Sequence, residues 1–353
     1  MNGIAGARNE VDTRPTVSVI IAARDSAPTL KRTLEALRGQ QVDEAFEVIV
    51  VDDGSRDQTP ALVAEYEPFV KLIRNDRSQG AGAARNRGVR AARAPVLAFT
   101  DSDCFPTPEW LAHGLEAISN ADLVQGAVRP DPLATRTPFD RTLYVEDHRG
   151  FYQTANLLVR REVFDAVGGF KDWTLERTGW WRFSPEGPRR LASQRPIGED
   201  TLFAWTACRQ GARSAFAADA LVYHAVVPGG VRDAMADRWH WSRDMAALAE
   251  LVPELRDGTF YRRWFFADWT AQFDLAVAAL AAAVIMRRRL WLLGVFPYFS
   301  RLRREATLYI DGRDSRLSAA RRAAAHLLGS SAVDAATLAG LLAGSISSRY
   351  LVL

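Results

Sequence analysis

Between residues 17 and 101 four near-continuous apolar runs, "VSVIIAA", "FEVIVVDD", "VKLIRND" and "PVLAFTD", alternate with three stretches of helical pattern, "APTLKRTLEALRGQ", "TPALVAEYE" and "GAGAARNRGVRAAR". Val- and Ile-rich runs without polar alternation suit strands covered on both faces, and intervening helices supply the cover, so the segment reads as a mainly parallel α/β sheet. In such sheets ligands bind beyond the carboxyl ends of the strands. The residues there are Asp52 and Asp53 after the second strand, Asn75 and Asp76 after the third, and Asp101 and Asp103 after the fourth. One polar strand end serves as a helix cap; three acidic clusters on one edge point to a site.

Past the fourth strand the pattern changes. "TPEWLAHGLEAI" predicts a helix with Thr107 as N-cap, Pro108 at the first position and an early Glu109. "ADLVQGAV" reads as a short strand and "FYQTANLLVRREVFDAVGGF" as a strand leading into a helix that ends at Gly168 and Gly169. "GEDTLFAWTACRQG" is a helix closed by Gly211, and "ARSAFAADALVYHAV" supplies the last strand. The expected organisation is a flexible lead over 1–15, a sheet domain over 16–228 and a helical region over 229–353.

With 353 residues, 48% of them hydrophobic, the chain can bury a large core. Its two cysteines, Cys104 and Cys208, exclude a disulfide framework and an all-cysteine zinc site, and a reducing cytoplasm is the expected setting. The first residues have no apolar run of the kind a secretory signal needs. A net charge of +3 does not suggest a binder of nucleic acid.

A dinucleotide fold predicts G-x-G-x-x-G after the first strand, where this chain has "AARDSAPTL". A sugar-phosphate nucleotidyltransferase needs a glycine- and lysine-rich triphosphate loop at the same place, and none is present. Asp101 and Asp103, one residue apart at the end of a buried strand, are hard oxygen ligands of the type Mg²⁺ or Mn²⁺ prefers.

The ordered pieces "VSVIIAARDSAPTLKRTLEAL", "VIVVDDGSRDQT", "NDRSQGAGAARNRGVRAA", "VLAFTDSDCFPTPEWL", "NLLVRREVFDAVGGF", "GEDTLFAWTACRQG" and "ADALVYH" resemble the family 2 glycosyltransferases from Val17 to His224. That resemblance implies the GT-A fold and inverting transfer of a sugar from a nucleotide diphosphate donor, with a uridine or deoxythymidine nucleotide expected. It implies that Ala22, Arg24, Asp53, Gly80, Arg85, Asp101 and Ser102 surround the nucleotide sugar, with Arg85 facing the phosphates. It also implies that Asp101, Asp103 and His224 hold Mn²⁺ or Mg²⁺, and that Asp200 is the general base with Glu199 in support. The chemistry is self-consistent: a cation offsets charge on the departing diphosphate, and a carboxylate takes the acceptor's hydroxyl proton.

The chain also departs from the family. An insertion between "VGGF" and "GED" carries Trp173, Trp180, Trp181 and Phe183 on the expected acceptor side. Processive members have Q-x-x-R-W; "MADRW" matches only at Arg238 and Trp239, which favours transfer of a single sugar and places both residues near the acceptor. The acceptor is expected to be a glycan or a lipid-linked molecule.

In the tail, "FDLAVAALAAAVIM", "RRR" and "LWLLGVFPYF" form apolar stretches of roughly 10 to 14 residues broken by arginines, a pattern that suits helices lying in a membrane interface better than spans. The inner face of the cell membrane is the expected location, and "DAATLAGLLAGSISSRYLVL" is expected to pack on this region. A homodimer interface is the alternative use of these helices, and an inactive membrane-surface scaffold the alternative function.

Overall fold

The computed structural model describes residues 14–171, 198–307 and 316–353. The lead over 1–13 and the aromatic residues Trp173, Trp180, Trp181 and Phe183 lie outside the described residues.

The strands are β1 (Val17–Ala23), β2 (Phe46–Asp52), β3 (Val70–Arg74), β4 (Val96–Asp101), β5 (Cys104–Pro106), β6 (Leu123–Pro130), β7 (Asn156–Arg160) and β8 (Ser214–His224). They form one sheet in the order β3-β2-β1-β4-β7-β6-β8-β5. The first four pair in parallel, as their apolar runs predict. Val17, Val19, Ile20 and Ile21 of β1 are fully buried, and each contributes about 1.5–3 kcal/mol by leaving water. The sheet is mixed: β6 pairs with β8 in parallel as well, while β7 runs antiparallel to both β4 and β6 and β5 runs antiparallel to β8. Residues 131–155 between β6 and β7 form no crossover helix, so the chain returns in the opposite sense.

Covering helices are α1 (Ala27–Arg38), α2 (Thr59–Ala64), α3 (Ala81–Ala91), α4 (Trp110–Ser119), α5 (Arg161–Val167) and α6 (Glu199–Arg209). In α1, Leu30, Leu34 and Leu37 recur at helical spacing and face the core. The predicted N-cap of α4 at Thr107 is two residues early, since Glu109 holds that position and the helix starts at Trp110. Both the amide and the hydroxyl of Thr107 donate to the Leu221 carbonyl of β8 at 3.0 Å, so Thr107 fastens β5 to the sheet instead of capping the helix. The glycine stop of α5 holds, with Gly168 left-handed at φ 83°.

β5 was not visible in the apolar pattern. It pairs antiparallel with β8, bringing Cys104 opposite His224, while the Ala225 amide donates to the Asp103 carbonyl at 2.8 Å. Between Gly126 and Ala127 the β6–β8 register slips. Buried Asn156 stitches this irregularity: its Nδ2 donates to the Ala127 and Ala220 carbonyls at 2.8 and 2.7 Å, and its Oδ1 accepts from Trp110 Nε1 at 2.8 Å.

The remaining helices are α7 (Val231–Leu251), α8 (Leu255–Gly258), α9 (Asp268–Ile285), α10 (Phe296–Thr307) and α11 (Arg316–Ser348), with a 3₁₀ turn over Arg289–Val295. α11 lies along α7 through small residues. A Cβ on Gly340 would stand 2.8 Å from the Trp239 carbonyl oxygen, and one on Gly344 would overlap that of Arg243. α11 also meets α10, where Tyr298 donates to Asp334 at 3.0 Å. Among the described residues two helices, α9 and α11, are long and apolar enough to cross a membrane. α9 is longer than its apolar run because residues 268–272, with Asp268 and Gln272, extend it at the start.

Replacing Asn156 by Leu strands the Trp110 donor and two buried carbonyls. It should lower the free energy of unfolding by about 2–4 kcal/mol, read from urea titration of the full chain.

Candidate active site

The loops after β1, β2, β3 and β4 converge on one edge of the sheet. β1 is central, with Ala22 level with Val51 of β2 and Asp101 of β4, and the Asp53 amide donating to the Ala23 carbonyl at 2.8 Å. β1 connects towards β2 on one side, while β4 lies on its other side. The crevice between β1 and β4 is therefore the point where the strand order reverses.

Asp53 is 4% exposed and anchors the loop after β3. Its carboxylate accepts from Asn75 Nδ2 at 2.7 Å, Ser78 Oγ at 2.6 Å and the amides of Gln79 and Gly80 at 2.8 Å each. Burial opposes its charge, but these donors outweigh burial and hold its pKa below the ordinary value. The close fit needs glycine at two places. Gly54 has φ 74° and no room for a Cβ against the Arg77–Ser78 backbone, and Gly80 has φ 95°. Arg24 joins the same network by donating to Ser78 Oγ at 3.0 Å, and Ser102 Oγ donates to Ser26 Oγ at 2.9 Å across the crevice. Ala22, Arg24, Asp53, Gly80, Asp101 and Ser102 thus share one edge.

Arg85 is 5% exposed, so it is not a surface residue of α3. Its Nη2 donates to Asp101 Oδ1 at 2.7 Å and its Nη1 to Glu199 Oε1 at 3.3 Å. The guanidinium is therefore committed to two carboxylates rather than open towards solvent, and it ties the end of β4 to the first turn of α6. Its Nε has no hydrogen-bond partner among the described residues.

Asp103 and His224 meet where β5 pairs with β8. Asp103 Oδ2 lies 3.6 Å from His224 Nε2, and one ligand atom each from Asp103, Cys104 and His224 fall within 4.8 Å of one another. His224 Nδ1 is 2.7 Å from the Ala225 carbonyl, which only accepts, so Nδ1 carries a proton and Nε2 is the ring nitrogen that faces Asp103. Burial pushes the Asp103 carboxyl up, against the pull of His224, with Asp101 adding repulsion. Burial also pushes the Cys104 thiol well up, which leaves it a protonated core side chain rather than a thiolate ligand. The Asp101 carboxylate is held by Arg85 and is not in this cluster, which brings together one carboxylate and one imidazole nitrogen. Both are donors that a divalent cation of the Mn²⁺ or Mg²⁺ type accepts, and Asp101 at the end of β4 is the acid nearest in sequence to complete the set.

Asp200 sits in the first turn of α6, after Gly198 at φ 91°. A Cβ at Gly198 would stand 2.5 Å from Leu248 of α7, so glycine is what lets that helix close on the turn. Asp200 Oδ2 accepts from the Thr154 amide at 3.1 Å and Oδ1 from the Thr201 amide at 2.8 Å. Burial, then the adjacent Glu199 charge, push its carboxyl up to about 7, with Arg85 and the two amides acting in the opposite sense.

Asp200 also lines a cavity of about 860 Å³ between the sheet domain and the C-terminal helices. Arg238, Trp241 and Trp269 line it too, whereas Trp239 does not; Trp239 is 37% exposed on α7. Sequence reasoning missed Thr154, the cavity and the double commitment of Arg85. Nothing in spacing signals them, since their partners lie 46 and 114 residues away.

The family model "Glycosyl transferase family 2" matches residues 18–171. The glycosyltransferase AglE of Haloferax volcanii is 33% identical over 172 residues, covering 45% of this chain and 57% of the relative. The succinoglycan biosynthesis protein ExoO of Rhizobium meliloti is 41% identical over 124 residues, covering 32% and 35%. The chain therefore spans little more than half the length of these relatives at most. Among solved structures, the mannosyltransferase PcManGT from Pyrobaculum calidifontis, in complex with GDP-Man and Mn²⁺, has a TM-score of 0.51 at 20% identity, covering 95% of this chain and 87% of the other, a likeness of fold. Residues 18–171 thus match glycosyl transferase family 2, and the chain shares the fold of a GT-A glycosyltransferase with a helical C-terminal region.

Proposed function

We propose that the protein transfers a single sugar from a nucleotide diphosphate donor, of the UDP or dTDP type, to an acceptor hydroxyl with inversion at the anomeric carbon. The observation that carries this is the division of acids on one edge: Asp53 in the nucleotide loop, Asp101 and Asp103 beside His224, and Asp200 apart from them on the cavity. Relatives of the matched domain bear glycosyltransferase names, which supports the same activity here.

Asp101, Asp103 and His224 would hold the divalent cation, which supplies positive charge to the departing diphosphate. Arg85 keeps Asp101 and Glu199 in place on either side of it. Asp200 takes the proton of the acceptor hydroxyl at one carboxylate oxygen, while the Thr154 and Thr201 amides fix the orientation of that carboxylate. A base with a pKa near the working pH suits this role. Attack from the cavity side, opposite the nucleotide, inverts the carbon in one displacement, so no enzyme nucleophile is required.

The C-terminal helices support a place on a membrane surface, and we infer the cytoplasmic face of the cell membrane. Val284, Ile285, Leu290 and Phe296 are each more than 70% exposed, next to Arg287, Arg288 and Arg289, which have no ion pair among the described residues. Apolar side chains beside unpaired arginines complement the acyl boundary and the anionic headgroups of a bilayer. α11 stays packed on α7 along its small residues, which favours an interfacial position over a span.

Three measurements test these readings. UDP or dTDP should raise the melting temperature only with Mn²⁺ or Mg²⁺ present; no metal-dependent shift with any nucleoside diphosphate overturns the donor assignment. Turnover should rise with pH through about 7 as Asp200 ionises. Asp200→Asn should lose about 10²–10⁴-fold of turnover while keeping the nucleotide-dependent shift, and Arg85→Gln, by removing a charge that lowers the Asp200 pKa, should move the midpoint to higher pH. Exchanging Ile285 and Leu290 together for Asp should abolish co-sedimentation with phosphatidylglycerol vesicles; unchanged binding overturns the membrane reading.

A further inference from the structure

The C-terminal cavity is large for a protein interior, at about 860 Å³, and matches the upper range of sites that hold small molecules. Its walls come from two sources. Gly198, Asp200 and Thr201 belong to the catalytic edge, and Arg238, Trp269 and Arg301 to the helical region. Leu248, which packs on Gly198, and Arg238 are ten residues apart on α7, a separation of about 15 Å along the helix axis. That length accommodates a saccharide unit and a further charged group end to end.

The arginines of this cavity differ in one respect. Arg141 pairs with Asp237 at 3.4 Å, Arg243 with Asp244 at 3.2 Å and Arg301 with Asp334 at 2.5 Å. Arg238 has no hydrogen bond from its guanidinium and no carboxylate within 4.0 Å among the described residues; it lies over Trp269, 5.5 Å from the ring centre. Burial lowers its pKa, with Asp334 and then Asp237 acting against that. The Arg238 side chain keeps access to solvent at the mouth of the cavity. With no carboxylate on it, its planar fork is open to a phosphate. The helices that supply Trp269 and Arg301 to the cavity, α9 and α10, also carry the exposed Leu280, Val284, Ile285, Phe296 and Phe299.

We propose that this cavity binds a membrane-borne acceptor that carries a phosphate, with Arg238 holding the phosphate and the acceptor's reacting hydroxyl at Asp200. This rests on the reading of Asp200 as the base. The shared chemistry is a phosphate monoester or diester, and the apolar outer faces of α9 and α10 commit the acceptor to an amphiphile whose tail stays in the lipid.

The test measures binding to the full chain in detergent with EDTA present, so that the cation-dependent donor site is silent. The probes are farnesyl phosphate, farnesol and glycerol 3-phosphate. Farnesyl phosphate should bind at least tenfold more tightly than either of the others. Arg238→Gln should weaken it at least tenfold, Arg238→Lys should retain part of the affinity, and Asp200→Asn should leave it intact. Each variant is first checked for an unchanged melting shift with UDP and Mn²⁺. Should Arg238→Gln fail that check by not folding, the Lys variant and the probe series decide.

Equal binding of farnesyl phosphate to wild type and Arg238→Gln overturns the proposal. So does equal binding of farnesol, which makes the site merely apolar, or of glycerol 3-phosphate, which removes the lipid. Loss of UDP affinity in a folded Arg238→Gln, with farnesyl phosphate unaffected, assigns Arg238 to the donor and overturns it too. Because these measurements require no turnover, failure of the Asp200 assignment appears separately, as transfer that survives in Asp200→Asn.

Discussion

The buried guanidinium of Arg85 is the interaction on which the arrangement of the site depends. It comes from α3, and its two forks reach Asp101 at the end of β4 and Glu199 at the start of α6. Removing one partner from such a group leaves charge in a desolvated place, at a cost of several kcal/mol, so the three elements hold one another in register. The same charge lowers the Asp200 pKa against burial and Glu199. One arginine thereby links the geometry of the proposed cation site to the protonation of the proposed base.

A second constraint comes from the short strand β5. Three residues of pairing with β8 fix Asp103 beside His224, and the Ala225 carbonyl then selects the imidazole proton position. The chain uses backbone pairing to place the carboxylate and a backbone carbonyl to orient the imidazole. Asp53 is managed differently: its carboxylate is saturated by its own loop, so it shapes the sheet edge through Asn75, Ser78, Gln79 and Gly80.

The helical region adds a wall to the site and a surface outside it. Small residues Gly340 and Gly344 seat α11 on α7, and α7 meets the turn that carries Asp200 through Leu248 and Gly198. Polar groups of these helices, including Arg238, Arg301 and Asp334, face the cavity, while apolar ones at the end of α9 and the start of α10 face outwards. Asp274, inside α9, is pushed up to about 6 by burial and then by Asp334, and both its oxygens lack hydrogen-bond partners among the described residues.

The sequence by itself determined the parallel half of the sheet, because four uninterrupted Val/Ile runs leave no exposed face for a strand to keep wet. It also determined which residues crowd the carboxyl edge, since each lies directly after its strand. Tertiary structure alone decided what those residues touch. Arg85 looks like any helical arginine until Glu199, 114 residues later, closes on it, and Thr154 becomes a partner of Asp200 only across two elements. The antiparallel entry of β7, the pairing of β5 with β8 and the start of α4 at Trp110 rest on hydrogen bonds between distant segments. Local pattern reports burial and period, whereas long-range pairing depends on how the folded chain satisfies each buried donor and acceptor.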